Sequence, residues 1–480
     1  MRLIIIGAVA AGTSAAAKAR RNDEDAEIII YDKDSFISYS GCGMPYYIGG
    51  EVESPEELTP RDPVFFKSKY NVDILIRHEV MSIAPKRKTL EIKNLLTGEV
   101  IQDHYDKLII ATGASAVIPP IKGAEHKNVF KLRNIGDMKQ IKAYINENAP
   151  KSAVIVGTGF IGLEVCENLK KLGIDVTLVE RLSQVTPGLD EDIAVYVEEH
   201  LKKNEVKVFK GISVIEIEED KVVLEDGREV KADFVLLSTG VRPNTELAVK
   251  AGIELGVTGA IKVNEKMMTN VPDIYSCGDC SEQFHVVTGK AVYRPMGSTA
   301  NKTGRITGDV VTGGNLSFRG ILGTGIFKVF GMTVALTGLS EREAKKEGYP
   351  VVVCHNIKPN KPEYMGGKEM LIKGIADKDT GKLLGAQIVG YEGVDKRIDV
   401  FVTAISYKAQ VEDLFHLDLA YAPPFSTTKD PIMYTGMILN NAIHSDRKLI
   451  SADELEQLIN SGKNYQLIDA RAASQYEQDH

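Results

Sequence analysis

The sequence predicts an α/β fold in which a helix-flanked parallel sheet is built twice, followed by an α+β region and a short tail. Two observations carry that prediction. The chain opens with a strand, a glycine turn, a helix and a second strand ending in an acid, and the same series returns from Ser152. The apolar runs are short and β-branched and end repeatedly in Thr-Gly or Gly-Asp, as strands buried on both faces of a parallel sheet do. At 480 residues the chain also exceeds what one core supports, so several domains are expected.

The first unit is "RLIII", then Gly7-Ala8-Val9-Ala10-Ala11-Gly12, the Ala-rich stretch "TSAAAKARR", and "EIIIYD" ending at Asp32. Glycines at such a turn let the backbone bend tightly and approach a pyrophosphate held on the helix N-terminus. The acid at the end of the second strand can bond a ribose hydroxyl. Val9 stands where the usual pattern has its second glycine. The second unit is complete: "SAVIV", Gly157-Thr158-Gly159-Phe160-Ile161-Gly162, the helix "LEVCENLKKLG", and "DVTLVE" ending at Glu180. Two such units, each between a buried strand and a helix, read as two Rossmann-like dinucleotide-binding folds. A carboxylate at Glu180 repels a 2′-phosphate, which favours NADH, while Arg181 beside it leaves NADPH open as a donor. Further along, "YDKLIIATGAS" and "ADFVLLSTGVRPN" each run a strand into Thr-Gly, and "VPDIYSCGDCSE" places Gly278-Asp279 after another strand. "KVVLEDGREV" is a hairpin signal, an Asp-Gly turn between alternating apolar residues.

Composition removes several classes of function. A net charge of -8 gives nothing global to draw the protein to nucleic acid. No apolar run approaches the roughly 18 residues of a membrane span. The N-terminus enters a strand at once, so no signal peptide is expected. The five cysteines, at 42, 166, 277, 280 and 354, are too scattered for a disulfide framework, and a cytoplasmic location is expected. Cys277-Gly-Asp-Cys280 has the spacing of a metal half-site, but no second Cys/His pair accompanies it, so no metal is expected. His355 and His416 have no triad company and read as structural.

In the order glycine fingerprint, cysteine at a helix start, Ala-Thr-Gly, second fingerprint, Ser-Thr-Gly and Gly-Asp, residues 1 to 445 resemble the pyridine nucleotide–disulfide oxidoreductases. The resemblance implies FAD on the first fold, at 1–115 and 243–325, and NAD(H) on an inserted fold at 116–242. It implies an α+β dimerisation domain at 326–445. Asp279 would then bond the ribityl chain of FAD and Asp32 its adenosine ribose. The implied cofactor positions are Gly7, Ala10, Gly12, Asp32, Lys33, Val80, Ala111, Thr112, Gly113, Arg133, Gly278 and Asp279, with Gly157, Gly159, Phe160, Ile161, Gly162, Glu180 and Gly240.

Cys42 chooses the branch. In "SFISYSGCGMPYYIGG" it precedes a Met-Pro step, and Pro45 suits the first turn of a helix. A thiolate at a helix N-terminus is stabilised by the dipole and the free amides, so a lowered thiol pKa is expected. Between two glycines in a polar segment, Cys42 has little of the apolar company of a buried structural cysteine. The branches with a redox disulfide carry two cysteines a few residues apart, whereas here the next is Cys166. Cys42 must therefore cycle through a mixed disulfide, a persulfide or a sulfenic acid. That leaves the single-cysteine group of coenzyme A disulfide reductases, persulfide reductases, NADH oxidases and NADH peroxidases. The peroxidases and many of the oxidases have a histidine inside the first fingerprint, where this chain has Ala10.

"LDLAYAPPFSTTKDP" resembles the C-terminal segment of the coenzyme A disulfide and persulfide reductases. By that resemblance Tyr421, with Tyr364 of "KPEYMGG", reaches the partner subunit's active site in a homodimer, and Lys429 meets the coenzyme A phosphates. Lys18, Arg21 and Ser38 match positions that line a coenzyme A channel, and Gly41 replaces a usual asparagine. The implied activity is FAD-dependent reduction of coenzyme A disulfide, coenzyme A persulfide or polysulfide by NAD(P)H through Cys42. The alternative is an NADH oxidase that reduces oxygen through a sulfenic acid. From 446 to 480 the capping box Ser451-Ala-Asp-Glu454, a helix and an expected strand "YQLIDAR" resemble the start of a rhodanese domain. Such a domain usually runs on to a catalytic cysteine, and none follows Cys354, so it is incomplete here or vestigial. A full rhodanese domain would favour sulfane-sulfur chemistry.

Overall fold

A computed structural model describes residues 1–445 and 448–478. Its first sheet is parallel, in the order Ile274–Ser276, Lys107–Ile110, Arg2–Ile6, Glu27–Tyr31, Asp73–Leu75. Its second repeats the plan with Lys207–Lys210, Asp175–Glu180, Ser152–Val156, Phe234–Leu237 and Val129–Phe130, again all parallel. The central strands are buried almost throughout because helices cover one face and a three-stranded antiparallel sheet the other, which is why they read as unbroken apolar runs. Between the two folds, Ala114–Ala116 and Val241–Pro243 run side by side as an antiparallel ribbon, so the chain leaves and re-enters the first fold at one place.

The predicted helices form at Ala10–Asn22 and Phe160–Lys171, each directly after its glycine turn. Alanines let the first helix lie against Gly297–Val311. A Cβ at Gly304 or Gly308 would run into the carbonyl oxygen of Ala11 or Ala15. The predicted hairpin pairs Lys221–Leu224 with Glu229–Lys231. The α+β region is an antiparallel sheet in the order Gly325–Val329, Met332–Gly338, Leu383–Gly390, Glu369–Asp377, Val351–Pro359. The helices Val394–Ser406 and Pro431–His444 pack on it and share one core with its inner face.

The tail departs from expectation. Ser451 does cap the helix Ala452–Asn460, accepting from the Glu454 amide at 3.1 Å while Glu454 accepts from the Ser451 amide at 2.7 Å. The strand expected in "YQLIDAR" does not form, and Leu467 and Ile468 are 70% and 71% exposed. A strand needs a neighbour to bond its amides, and among the described residues no strand is paired with this segment. Asp446 and Arg447, where the expected domain boundary falls, lie outside the described residues, as do Asp479 and His480 of the expected rhodanese start.

Candidate active site

A cleft of about 2290 Å³ runs along the carboxyl ends of both parallel sheets, where ligands bind in open α/β folds. Its two halves are built alike. Gly7 and Gly157 sit at φ +107° and +101°, where a side chain would strike the carbonyl of Ala111 or Ser238 on the neighbouring strand. A Cβ at Gly12 or Gly162 would strike the carbonyl of Gly7 or Gly157, so each helix presses against its own turn. Val9 lies at φ −96°, a conformation that needs no glycine, which is why its side chain is tolerated there.

Both helices open on the cleft without a capping side chain and without an acid in the first turn. By contrast, Pro63–Tyr70 and Ile135–Asn148 are capped by Asp62 and Asn134. Uncapped amides at the positive end of a helix are what a pyrophosphate requires. Each acid is held ready beside its turn. Asp32 accepts from the amides of Ala8 at 2.6 Å and Asp34 at 2.8 Å, and burial pushes its carboxyl up. Glu180 accepts from the Thr158 amide at 2.9 Å, the Thr158 hydroxyl at 2.7 Å and the Leu182 amide at 3.0 Å. These residues fit one dinucleotide in each half.

Between the halves, Arg133 donates to Asp279 at 2.8 Å and to the Ala114 carbonyl at 2.8 Å, and the Tyr293 hydroxyl donates to the Asp279 carbonyl at 2.9 Å. Lys33, Val80, Ala111, Thr112, Gly113, Gly240 and Gly278 line the same cleft with Ala10, Gly159, Phe160 and Ile161. Gly12 and Gly162 lie behind the wall, as the close packing of their helices requires.

Cys42 is exposed in this cleft, while Cys166, Cys277, Cys280 and Cys354 are buried. It sits in the 3-10 turn Gly41–Gly43, ahead of the six-residue helix Met44–Gly49. The expected lowering of its thiol pKa does not occur. Desolvation by the cleft wall, then the carboxylates of Glu164 and Asp279, push it up. The helix in front of it is short, and Pro45 brings no amide to its first turn, so the dipole that was to stabilise the thiolate is weak.

Glu164, on the helix Phe160–Lys171, belongs to the site although no sequence motif marks it. Burial raises its carboxyl to about 7, and it accepts from the Tyr46 hydroxyl at 3.4 Å. Only its place on the cleft-facing side of the helix, two residues past the last fingerprint glycine, could have marked it.

The residues expected to meet coenzyme A do not line the chain's own cleft. Lys18 is paired with Asp309 at 3.0 Å and donates to Asn22 at 2.8 Å. The Arg21 guanidinium lies 5.7 Å from the Tyr70 ring centre, and Ser38 is half-buried at φ +47°. Tyr364, Tyr421 and Lys429 stand exposed on the α+β region, the tyrosines at 76% and 48%.

Two dinucleotide cradles that share one cleft with a single exposed thiol define an NAD(P)H-dependent flavoprotein oxidoreductase. The chain belongs to the pyridine nucleotide-disulphide oxidoreductase family. It matches that family over residues 1–298 and the family's dimerisation domain over residues 325–431. It is 38% identical to an NADH oxidase of Methanocaldococcus jannaschii over 437 residues, 90% of this chain and 97% of that one. It is 37% identical to an NAD(P)H sulfur oxidoreductase (CoA-dependent) of Pyrococcus furiosus, over 91% of this chain and 99% of that one. Among solved structures it superposes with TM-score 0.97 on reduced Bacillus anthracis CoADR-RHD. The two are 40% identical, covering 99% of this chain and 86% of that one. No helix among the described residues is long and apolar enough to cross a membrane.

Proposed function

We propose that the protein reduces a sulfur species carried on coenzyme A, as the disulfide, persulfide or polysulfide, with NAD(P)H as donor and Cys42 as its one redox thiol. The observation that carries this reading is Cys42 itself, exposed in the cleft with every other cysteine buried. A thiol without a resolving neighbour must take its sulfur partner from outside. The likeness to a CoA-dependent sulfur oxidoreductase supports coenzyme A as the carrier.

In this reading the Cys42 thiolate attacks one sulfur of coenzyme A disulfide. A Cys42–coenzyme A disulfide forms, the old S–S bond breaks, and one coenzyme A thiolate leaves. With coenzyme A persulfide, attack on the outer sulfur expels the same thiolate and leaves a persulfide on Cys42. Bound FAD would supply the two electrons, drawn from NAD(P)H, that return Cys42 and its partner to thiols. Asp32, Arg133 and Asp279 would hold the flavin, and the Gly157–Gly162 turn with Glu180 the nicotinamide nucleotide. Three hydrogen bonds hold the Glu180 side chain beside the turn, where a carboxylate repels a 2′-phosphate, which supports NADH over NADPH.

The sheets support a division into 1–115 with 243–325 for FAD, 116–242 for NAD(H) and 326–445 for dimerisation. Exposed Tyr364, Tyr421 and Lys429 would serve the partner subunit's cleft, with Lys18, Arg21 and Ser38 on the coenzyme A channel. Five unpaired cysteines fit a reducing cytoplasm. Oxygen reduction is the second reading, kept by the likeness to an NADH oxidase. Against it, Ala10 puts no histidine in the first fingerprint. Cys42→Ser tests the proposal. It should abolish coenzyme A disulfide turnover while NADH still bleaches the flavin, and full turnover in that variant would overturn it.

A further inference from the structure

Among the largest fully buried side chains is Arg397, whose side chain is 1% exposed, in the helix Val394–Ser406. It bonds two loops that are far apart in sequence. Its Nη2 donates to the carbonyl of Asn360 at 2.9 Å, to the Ser426 hydroxyl at 3.2 Å and to Asp430 Oδ2 at 2.8 Å. Its Nε donates to Asp430 Oδ1 at 3.3 Å, and its Nη1 to the Gly393 carbonyl at 3.2 Å.

The partners are buried too and are themselves tied. Asp430 is 2% exposed and accepts from the Ser426 hydroxyl at 2.8 Å and the Ile432 amide at 3.1 Å. Asn360 is 5% exposed. Its side chain accepts from the Lys368 amide at 2.7 Å, and its amide donates to the Lys368 carbonyl at 2.9 Å, so 360–368 is a closed loop. Tyr364 stands exposed at the tip of that loop, and Tyr421 and Lys429 on the segment pinned at Ser426 and Asp430.

We propose that Arg397 is a positioning residue that fixes the Tyr364 loop and the Tyr421–Lys429 segment as one unit presented to the partner subunit's cleft. This rests on the reading that these tyrosines serve the partner's site. Two exposed aromatics on separate loops cannot hold a relative position by themselves, because neither packs into a core. A planar fork with five donors, fully desolvated and shared between both loops, sets their spacing. A lysine has the charge but not the fork, so it cannot hold both loops together.

The test uses the dimeric holoenzyme, with dimers checked by light scattering, in wild-type, R397K, Y364F/Y421F and triple-variant forms. Steady-state turnover of coenzyme A disulfide is compared with stopped-flow bleaching of the flavin by NADH. R397K should lower kcat/KM by about tenfold or more, chiefly through KM, and leave the NADH half-reaction within about twofold. In the tyrosine background it should add less than about twofold, since both changes remove the same unit. Losses that add fully, or that fall equally on both half-reactions, would make Arg397 merely structural and overturn the proposal. If Y364F/Y421F matches wild type, the reading of the tyrosines falls and the proposal with it. If that variant is impaired while R397K matches wild type, the reading stands and the proposal alone fails. Should R397K give no dimer, S426A, which removes one arm of the clamp without stranding a charge, is judged by the same criteria.

Discussion

Glu164→Gln should stabilise the protein above neutral pH and leave it unchanged in acid. Glu164 lies in the wall beside Cys42, and the Tyr46 hydroxyl reaches it at 3.4 Å, a long hydrogen bond. Burial, opposed by Tyr46 and reinforced by Glu167, raises its carboxyl from 4.5 to about 7. Below about pH 4.5 the group is neutral in both folded and unfolded chains and has no effect on stability. Between 4.5 and about 7 the unfolded chain has ionised while the folded one keeps its proton, so stability falls as pH rises. Above about 7 the penalty is constant. The rise from 4.5 to about 7 corresponds to about 3 kcal/mol, less what solvent screens at the half-buried carboxyl.

Glutamine has the same shape and never ionises. Its advantage over the wild type should therefore be near zero at about pH 4.5, grow to about pH 7, and reach a plateau of about 2–3 kcal/mol. Urea midpoints of the holoenzyme, followed by circular dichroism from about pH 4.5 to about pH 8, read this directly. A difference that does not change with pH, or a glutamine variant that is the less stable at about pH 8, would rule out a buried charge at Glu164 as the cause.

Three further outcomes follow from the same structure. Because burial, Glu164 and Asp279 push the Cys42 thiol up, iodoacetamide should label it at a rate that still climbs above the pH where an ordinary thiol levels off. Labelling should climb less steeply in Glu164→Gln. Gly304→Val should destabilise by about 3 kcal/mol or more and release FAD at lower temperature, read by the flavin fluorescence melt. Its Cβ meets the Ala11 backbone, which cannot yield. Lys373→Met should cost about 3 kcal/mol in denaturant unfolding at pH 7, because buried Asp190 loses its cation while Asp192 and Glu341 keep only His355 and Lys345. Burial opposes the ionisation of Asp192, but His355 and Lys373 outweigh it and hold the carboxyl at about 2. The stability this gives the wild type is present above the ordinary Asp value and is lost as pH falls toward 2. In Lys373→Met much of that acid-side loss should disappear.

Local patterns were legible in the sequence, and long-range partners were not. Gly7, Gly157, Asp32 and Glu180 could be read because each works through a turn, a helix start or a strand end within one short unit. Cys42 could be read as standing apart from the other cysteines, which is itself a local fact. Its environment could not, since Glu164 and Asp279 come from distant segments and reverse the effect expected of the helix start. Lys18 shows the same limit. A basic residue on an exposed helix face gives no sign that Asp309, far along the chain, will pair with it. The helix Gly297–Val311 reads as a polar, glycine-rich stretch until Ala11 and Ala15 are seen filling the spaces its glycines leave. The tail failed in the opposite direction. "YQLIDAR" has strand character, but strand formation is decided by a neighbour that the described residues do not supply.

What Cys42 carries during turnover decides the chemistry. The most direct measurement is intact-protein and peptide mass spectrometry of the wild-type holoenzyme after coenzyme A disulfide is added without NADH, and again after NADH. One coenzyme A per subunit should appear in disulfide linkage to Cys42 and be discharged on adding NADH, with Cys166, Cys277, Cys280 and Cys354 unmodified. An unmodified Cys42, an oxygen-only adduct that NADH removes, or a coenzyme A adduct on another cysteine would rule out Cys42 as the sulfur carrier.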